Sequence, residues 1–128
     1  MYYKKSKAKC SSLRFNKFLA LCLVQDRHDY ACIACLKYYT GIKLSDCFKI
    51  DTIQASVAAE TGMLTIKNKF GIKRNFEINE SIKIGFAKML GVTQAGQKIF
   101  IAANDKRKLA VKKFRNFAVQ QGGNFDVQ

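Results

Sequence analysis

The sequence predicts an α+β fold, mainly α, in which a helical core carries one small antiparallel β-hairpin. Several segments repeat their apolar residues at the spacing of amphipathic helices. One pair of short segments instead alternates apolar and polar residues on either side of a glycine-containing turn. With 128 residues, of which 48% are hydrophobic, the chain has enough apolar material for one core. We therefore expect a single domain over residues 13–128, preceded by a basic N-terminal arm over residues 1–12.

Two helices are predicted in the first third of the chain. The apolar residues of the first recur at helical spacing: Leu13, Phe15, Phe18, Leu19, Cys22 and Leu23. Asp26 and Asp29 resemble a capping arrangement that opens the second, over residues 30–39. That second segment is apolar on nearly all faces, which predicts a buried central helix. Gly41 suits the left-handed position that ends such a helix, and residues 44–50 are predicted to form a short helix.

The hairpin follows, with strands over residues 63–68 and 72–78 and residues 69–71 as the turn. A further helix is predicted behind a cap at Asn79, and residues 99–101 form a short apolar segment. The last helix is predicted over residues 106–121, ended by Gly122. Its core face carries Ala110, Phe114, Phe117 and Ala118, and its other faces are crowded by Lys108, Lys112, Lys113 and Arg115.

The charge balance predicts a polyanionic partner. The chain has 23 Lys and Arg residues against 9 Asp and Glu residues, a formal net charge of +14. Nucleic acid fits this charge better than a membrane surface, because no extended basic amphipathic helix stands apart. The longest apolar stretches, such as residues 18–24, are far shorter than the roughly 20 residues of a membrane span. We expect a cytoplasmic protein without membrane association.

Neither a metal site nor a cofactor site is predicted. Residues 1–7 do not resemble a signal peptide, so the five cysteines are expected to be free thiols in a reducing cytosol. His28, Cys32 and Cys35 have a ligand-like spacing, but both cysteines lie within the apolar helix, which favours a role in the core. The sequence contains no Gly-rich phosphate loop and no Ser/His/Asp constellation, so no small-molecule substrate is expected.

Residues 28–51, HDYACIACLKYYTGIKLSDCFKID, resemble the first conserved box of the tyrosine recombinases, the phage integrase family. In that family a buried helix is closed by a Thr-Gly turn, which here is Thr40-Gly41. Residues 62–74 resemble the hairpin that carries the family's catalytic lysine, and Lys69 occupies its position. Two further segments match in order and spacing, at residues 98–100 and 111–122. The resemblance implies the N-terminal part of a recombinase catalytic domain.

The resemblance also implies what is missing for catalysis. In the family a tyrosine attacks phosphorus, two arginines and a histidine or tryptophan stabilise the developing charge, and a lysine protonates the leaving oxygen. The sequence ends at Gln128, where the His-x-x-Arg box would begin, and Lys43 stands in place of the first-box arginine. An ammonium cannot make the bidentate phosphate contact of a guanidinium. The chain is therefore expected to be catalytically inactive on its own.

The leading hypothesis is an inactive DNA-binding protein, either an accessory factor or the remnant of a mobile element, located on the nucleoid or on mobile-element DNA. Its expected partner is double-stranded DNA, and other recombinase subunits are candidate protein partners. One alternative is an incomplete part of an active site-specific recombinase, and the other is a basic RNA-associated protein of the ribosomal type. Lys67, Lys73 and Arg74 are expected to extend one phosphate-binding strip from Lys69. The expected DNA-contacting residues are Lys43, Lys67, Lys69, Lys73 and Arg74.

Overall fold

The computed structural model describes residues 12–68, 70–102 and 104–120. Within these ranges the chain forms six helices and one two-stranded antiparallel sheet, which confirms the predicted α+β fold. The elements in chain order are α1 (Ser12–Val24), α2 (His28–Thr40), α3 (Leu44–Cys47), α4 (Thr52–Thr61), β1 (Met63–Lys67), β2 (Lys73–Glu77), α5 (Glu80–Leu90) and α6 (Arg107–Gln120).

Helix α2 is the centre of the core, as its all-round apolar sequence predicted. Seven consecutive residues, from 30 to 36, are buried, and they include Cys32 and Cys35. Helices α1 and α5 both pack against α2. The α5 contact is close at Gly85, where an added Cβ atom would lie 2.6 Å from the Cys32 Sγ atom. Glycine at this position therefore sets the distance between the two helices.

The predicted capping arrangement before α2 is wrong. Asp26 has a left-handed backbone with φ of 60°, whereas a capping side chain acts from an extended backbone. The N-cap position belongs to Arg27, and its side chain makes no capping bond. The Arg27 guanidinium instead donates to the Asp29 carboxylate at 3.0 and 3.1 Å. Asp26 forms an ion pair with the His28 imidazole at 3.0 Å.

The segment after α2 is partly as predicted. Gly41 adopts the left-handed conformation with φ of 76°, and its N–H donates to the Lys37 carbonyl at 3.1 Å. Helix α3 stops at Cys47, three residues earlier than expected. The chain leaves the helix there because the Ile50 carbonyl accepts from the Ile99 N–H at 3.0 Å. This bond joins the predicted short apolar segment at residues 99–101 to the start of α4.

Helix α4 is absent from the sequence prediction. It begins with a complete capping box, in which the Asp51 carboxylate accepts from the Gln54 N–H and the Gln54 side chain accepts from the Asp51 N–H, both at 2.9 Å. Gly62, with φ of 81°, ends it. Its buried residues are all small, and two large apolar residues are exposed, so the helix has little amphipathic signal. The buried residues are Thr52, Ala55 and Ala58, and the exposed ones are Ile53 and Val57.

The hairpin lies within one residue of its prediction at each strand end. It packs through Leu64 and Ile66 of β1, which are buried, and β1 contacts α4. The Asn79 side chain accepts from the Ile82 N–H at 3.0 Å, which confirms the predicted cap of α5. The sheet register pairs Met63 with Glu77, Leu64 with Phe76, Thr65 with Asn75, Ile66 with Arg74, and Lys67 with Lys73.

Helix α6 closes the core on the side of α1 and α2. Ala110, Phe114 and Ala118 are buried, and the Phe114 ring lies edge-on to the Phe18 and Tyr30 rings. The predicted core role of this face is confirmed. The predicted end at Gly122 lies outside the described residues, as do residues 1–11 of the basic arm predicted over residues 1–12, while Ser12 already belongs to α1. No helix in the described ranges is long and apolar enough to cross a membrane.

Candidate nucleic-acid interface

Lys43 is presented by a loop that several hydrogen bonds fix. The Thr40 hydroxyl donates to the Leu36 carbonyl at 2.6 Å and accepts from the Ile42 N–H at 3.1 Å. The Lys37 ammonium donates to the Ile42 carbonyl at 3.0 Å. Lys43 follows at the N-cap position of α3 with an extended backbone and an exposed side chain. The loop therefore holds the Lys43 backbone in place while its ammonium reaches solvent.

Two expected DNA-contacting residues lie side by side on the hairpin. Lys67 and Lys73 are directly paired across the strands, and both side chains are exposed. They share the outer face of the hairpin with the Thr65 and Asn75 pair, whose side chains form a hydrogen bond of 2.7 Å. Like charges placed directly opposite each other destabilise a hairpin. The outer face therefore concentrates positive charge at a local energetic cost.

Arg74 does not lie on that face. It pairs with Ile66, whose side chain points toward the core, so Arg74 emerges on the opposite side from Lys67 and Lys73. Its guanidinium carbon lies 5.3 Å from the centre of the Phe76 ring. The expected single strip is therefore divided between two sides of the hairpin. Lys69 lies outside the described residues.

The turn of the hairpin is fixed by Asn68. The Asn68 side-chain oxygen accepts from the N–H groups of Phe70 and Ile72 at 2.8 and 3.0 Å. The Asn68 N–H donates to the Ile72 carbonyl at 2.9 Å, and its carbonyl accepts from the Gly71 N–H at 3.0 Å. Gly71 has φ of 81°, which a residue with a Cβ atom adopts with strain. These bonds define the backbone of the turn at residue 68 and at residues 70–72.

Helix α6 adds a basic face to which the sequence analysis assigned no contact. Lys108, Lys112 and Arg115 follow one another at i, i+4 and i+7, and all three side chains are exposed. Helix α6 also contacts α3, the helix that Lys43 precedes. The signal was present in the sequence, because residues at this spacing lie on one helical face.

Most of the exposed basic residues at Lys43, on the hairpin and on α6 form no ion pair with the residues that the structure describes. Lys113 forms an ion pair with Asp105 at 2.9 Å, and Lys49 forms one with Asp46 at 3.0 Å. By contrast, among the residues that the structure describes, no ion pair involves Lys43, Lys67, Lys73, Arg74, Lys108, Lys112 or Arg115. Their charges are therefore balanced by mobile counterions, which a polyanion can displace.

The described tyrosines belong to aromatic packing. Tyr30 is buried, with the Arg27 guanidinium carbon 3.7 Å from its ring centre. The Tyr38 ring stacks on the Phe15 ring with centres 4.0 Å apart. Tyr39 lies edge-on to the Phe15 ring and is about half exposed. Tyr2 and Tyr3 lie outside the described residues.

The buried thiols are neutral. Burial raises the pKa of Cys22 to about 12 and that of Cys35 to about 11, and it raises the pKa of Cys32 as well. Metal ions bind the thiolate form, which these environments disfavour. Within residues 12–68, 70–102 and 104–120, no group of three or more His, Cys, Asp or Glu side chains could hold a metal ion. The Cys32 and Cys35 pair is a core feature, as predicted.

Comparison with known proteins yields a match in structure alone. No family model matches the chain, and no curated protein matches its sequence. The crystal structure of XerA recombinase matches it with a TM-score of 0.68 over 91% of this chain. The chain has the fold of part of XerA recombinase. The two sequences are 10% identical, so the likeness is one of fold, and the chain spans 44% of the length of the XerA chain.

This match confirms the recombinase-like fold that the first-box and hairpin motifs implied. The structure also explains why they are recognisable. Thr40 and Gly41 close the central helix through specific hydrogen bonds, and Gly71 has a left-handed backbone in the hairpin turn. Local backbone geometry of this kind constrains residue type more than core packing does.

Proposed function

We propose that this protein binds double-stranded DNA through the phosphate backbone and has no strand-exchange activity on its own. The observation that carries the proposal is a set of exposed cations on a recombinase-like fold that form no ion pair with any residue the structure describes. These cations lie at Lys43, on the hairpin and on α6. A net charge of +14 on 128 residues provides long-range attraction to any polyanion.

The proposed contacts are made to phosphate and not to base edges. Lysine contributes a mobile point charge without the planar fork that reads a guanine edge bidentately. Lys67, Lys73, Lys108 and Lys112 make up most of the interface, so the binding is proposed to tolerate different sequences. Arg74 and Arg115 are the two positions from which bidentate contacts are available.

Inactivity is proposed from the residues that would have to perform the chemistry. Lys43 occupies the position at which the resemblance places an arginine, and removal of such a charge stabiliser lowers rates by about 100-fold or more. Tyr30, Tyr38 and Tyr39 lie on the central helix α2, and none occupies the position at which the resemblance places the nucleophile. His28, the one histidine of the sequence, is paired with Asp26.

One observation favours a second candidate function. The chain matches 44% of the XerA chain, so it could act as one segment of a recombinase whose remaining segments are separate polypeptides. In that case the native protein would copurify with a second chain that supplies the His-x-x-Arg box and a tyrosine. Mass spectrometry of the natively purified protein distinguishes the two proposals.

Salt-dependent binding tests the main proposal. Fluorescence anisotropy with a labelled duplex should give a log–log salt slope near −5 if about six phosphates are neutralised. Lys67→Glu with Lys73→Glu, and Lys108→Glu with Lys112→Glu, should each reduce the magnitude of the slope by about two. Lys17→Glu with Lys88→Glu is the matched control, because it removes two exposed lysines of α1 and α5 outside the proposed interface.

Lys69→Ala should weaken binding modestly, by about one unit of slope if Lys69 contacts one phosphate. A slope indistinguishable from zero for the unmodified protein would reject phosphate binding. Equal losses in the interface and control variants would show that only net charge matters. Preferential binding to a single-stranded or folded RNA competitor would favour the RNA-associated alternative over DNA.

A further inference from the structure

The tip of the hairpin carries a large aromatic side chain that is exposed to solvent. The Phe70 side chain is 76% exposed, and the neighbouring Ile72 is 60% exposed. We propose that Phe70 is a wedge that enters between adjacent base pairs of bound DNA and partly unstacks them. This inference rests on the proposed DNA binding and adds a second kind of contact to it.

Exposure alone does not make a wedge, but the shape of the tip does. Asn68 makes four hydrogen bonds across the turn, at 2.8 to 3.0 Å, with the N–H groups of Phe70, Gly71 and Ile72 and the Ile72 carbonyl. The backbone that carries the phenyl ring is thereby fixed before DNA arrives. A rigid tip lowers the entropy lost on insertion, so the contact can offset part of the energy of unstacking.

The charges around the tip identify the occupant as DNA. Lys67 and Lys73 lie opposite each other at the ends of the two strands, directly below the turn that carries Phe70. A pair of cations beside a turn that carries an exposed aromatic ring matches a duplex, in which phosphates lie beside a stack of bases. Apolar side chains inserted between base steps, supported by Lys and Arg contacts to phosphate, are an established way in which proteins kink DNA.

The base of the hairpin is anchored against the core. Leu64 and Ile66 are buried, and the Gln54 side chain donates to the Thr65 carbonyl at 3.1 Å. The tip extends from this anchored base. The packing of the base therefore keeps the hairpin in place when the Phe70 ring contacts DNA. An exposed phenyl ring on a flexible loop would lack this property.

The test uses a duplex that contains 2-aminopurine, whose fluorescence rises when the base is unstacked. The full chain should increase this fluorescence on binding, and Phe70→Ala should abolish the increase. Phe70→Ala should also weaken binding by about fivefold, the lower end of the effect of one base-stacking aromatic, because unstacking offsets part of the gain. Its salt slope should stay unchanged, since no phosphate contact is lost.

Ile72→Ala is the matched control, because it removes an exposed apolar side chain two residues away and should retain the fluorescence increase. A mismatched base pair at the probe should tighten binding of the unmodified protein several-fold, since less stacking has to be broken, and should leave Phe70→Ala unaffected. Circular dichroism of each variant checks that the fold is retained.

The outcomes separate this inference from the proposed function. If the unmodified protein binds DNA with a steep salt slope but without a fluorescence change, the wedge is rejected and phosphate binding stands. If it does not bind DNA, both fail. If Phe70→Ala instead abolishes binding to vesicles of anionic phospholipid and leaves DNA binding and the fluorescence increase intact, the ring is a membrane anchor and the wedge is rejected.

Discussion

Lys43 combines a fixed backbone with a flexible side chain. The Thr40 hydroxyl and the Lys37 ammonium hold the preceding loop, while the Lys43 side chain is exposed. Such an arrangement suits attraction of a phosphate, because a point charge needs no particular orientation. It suits catalysis less well, because stabilisation of a transition state depends on donors that are aligned beforehand.

We expect that neither the unmodified chain nor Lys43→Arg forms a covalent adduct with DNA. Arginine would restore one bidentate phosphate contact, but residues that act as a unit do not contribute additively, and no attacking group is gained. Incubation with nicked or suicide DNA substrates, followed by denaturing electrophoresis, measures the adduct. An intact recombinase is the positive control. A denaturation-resistant adduct from the unmodified chain would overturn the proposed inactivity.

The buried thiols make stability sensitive to alkaline pH. An ordinary thiol has a pKa of 9.0, whereas burial raises that of Cys22 to about 12 and that of Cys35 to about 11. Below pH 9 both states carry neutral thiols and the stabilisation is fully present. Above pH 9 the unfolded state loses protons that the folded state keeps, so stability falls as pH rises toward 11 or 12.

Cys22→Ala with Cys35→Ala should therefore flatten the decline in the free energy of unfolding between pH 9 and 10.5. Each thiol contributes a slope of at most about 1.4 kcal/mol per pH unit. Urea unfolding at several pH values measures the change in the free energy of unfolding per pH unit. This slope is compared between variants, and not the absolute stability, because the alanines also create cavities. Cys10→Ser is the control. Equal alkaline slopes in both variants would contradict the assignment.

Among the elements, the hairpin carries a charge arrangement that favours the proposed phosphate binding but destabilises strand pairing. Lys67 and Lys73 face each other, which favours phosphate binding and disfavours strand pairing. Helix α6 shows no such opposition, because its basic residues at i, i+4 and i+7 point to solvent while Phe114 and Ala118 face the core. The hairpin is therefore the element in which charge was placed at the expense of local stability.

Lys67→Glu should raise stability and weaken DNA binding at the same time. The change converts a like-charge pair into an opposite-charge pair, which stabilises a hairpin by about 0.2 to 1 kcal/mol. Chemical denaturation and fluorescence anisotropy on the same preparation measure the two effects. Lys17→Glu, on α1, is the control and should change neither by much. A variant that lost both stability and binding would show that Lys67 has a structural role instead.

For the whole molecule, the net charge of +14 implies repulsion between its own residues. Four described Lys and Arg ion pairs relieve part of it, and they lie at the start of α2, at α3, on α5 and between Asp105 and Lys113. Among the described residues, the basic residues of the proposed interface form no ion pair. The free protein therefore carries repulsion that bound phosphates would remove.

Added NaCl should stabilise the free protein. The screening length falls to about 10 Å at 0.1 M, so repulsion between exposed lysines weakens. We expect the Tm to rise between about 20 and 300 mM NaCl, by about 4 °C for each 1 kcal/mol of relieved repulsion in a domain of this size. Lys67→Glu lowers the net charge by two, from +14 to +12, and converts its like-charge pair with Lys73 into an opposite-charge pair, so it should reduce the rise.

Scanning calorimetry measures the Tm, and an uncharged osmolyte at matched osmolality controls for solvent effects. A Tm that is independent of NaCl would show that the charges are too far apart to interact. A rise of equal size in Lys67→Glu would show that the repulsion arises away from the hairpin.

Local chemistry let the sequence predict most of the fold. Gly41, Asn79 and the alternating strand residues each determine backbone geometry within a few positions, so α2, α5 and the hairpin were placed close to their observed bounds. The capping box at Asp51 and Gln54 was equally local, yet α4 was missed because its buried face consists of small residues. The sequence therefore predicted an element correctly where a local conformation favours one residue type and the buried face is clearly apolar.

Relations between distant segments were decided by the tertiary structure. That Arg74 lies on the other side of the hairpin from Lys67 depends on the pairing register, since a strand turns successive side chains to opposite faces. That α6 joins the candidate interface depends on packing of Phe114 against Phe18 and Tyr30, which turns the lysines outward. The sequence by itself determined the charge, most of the elements and the family resemblance, because these arise from composition and local geometry. Only the fold decided which charges share a surface, because that depends on contacts between residues far apart in the chain.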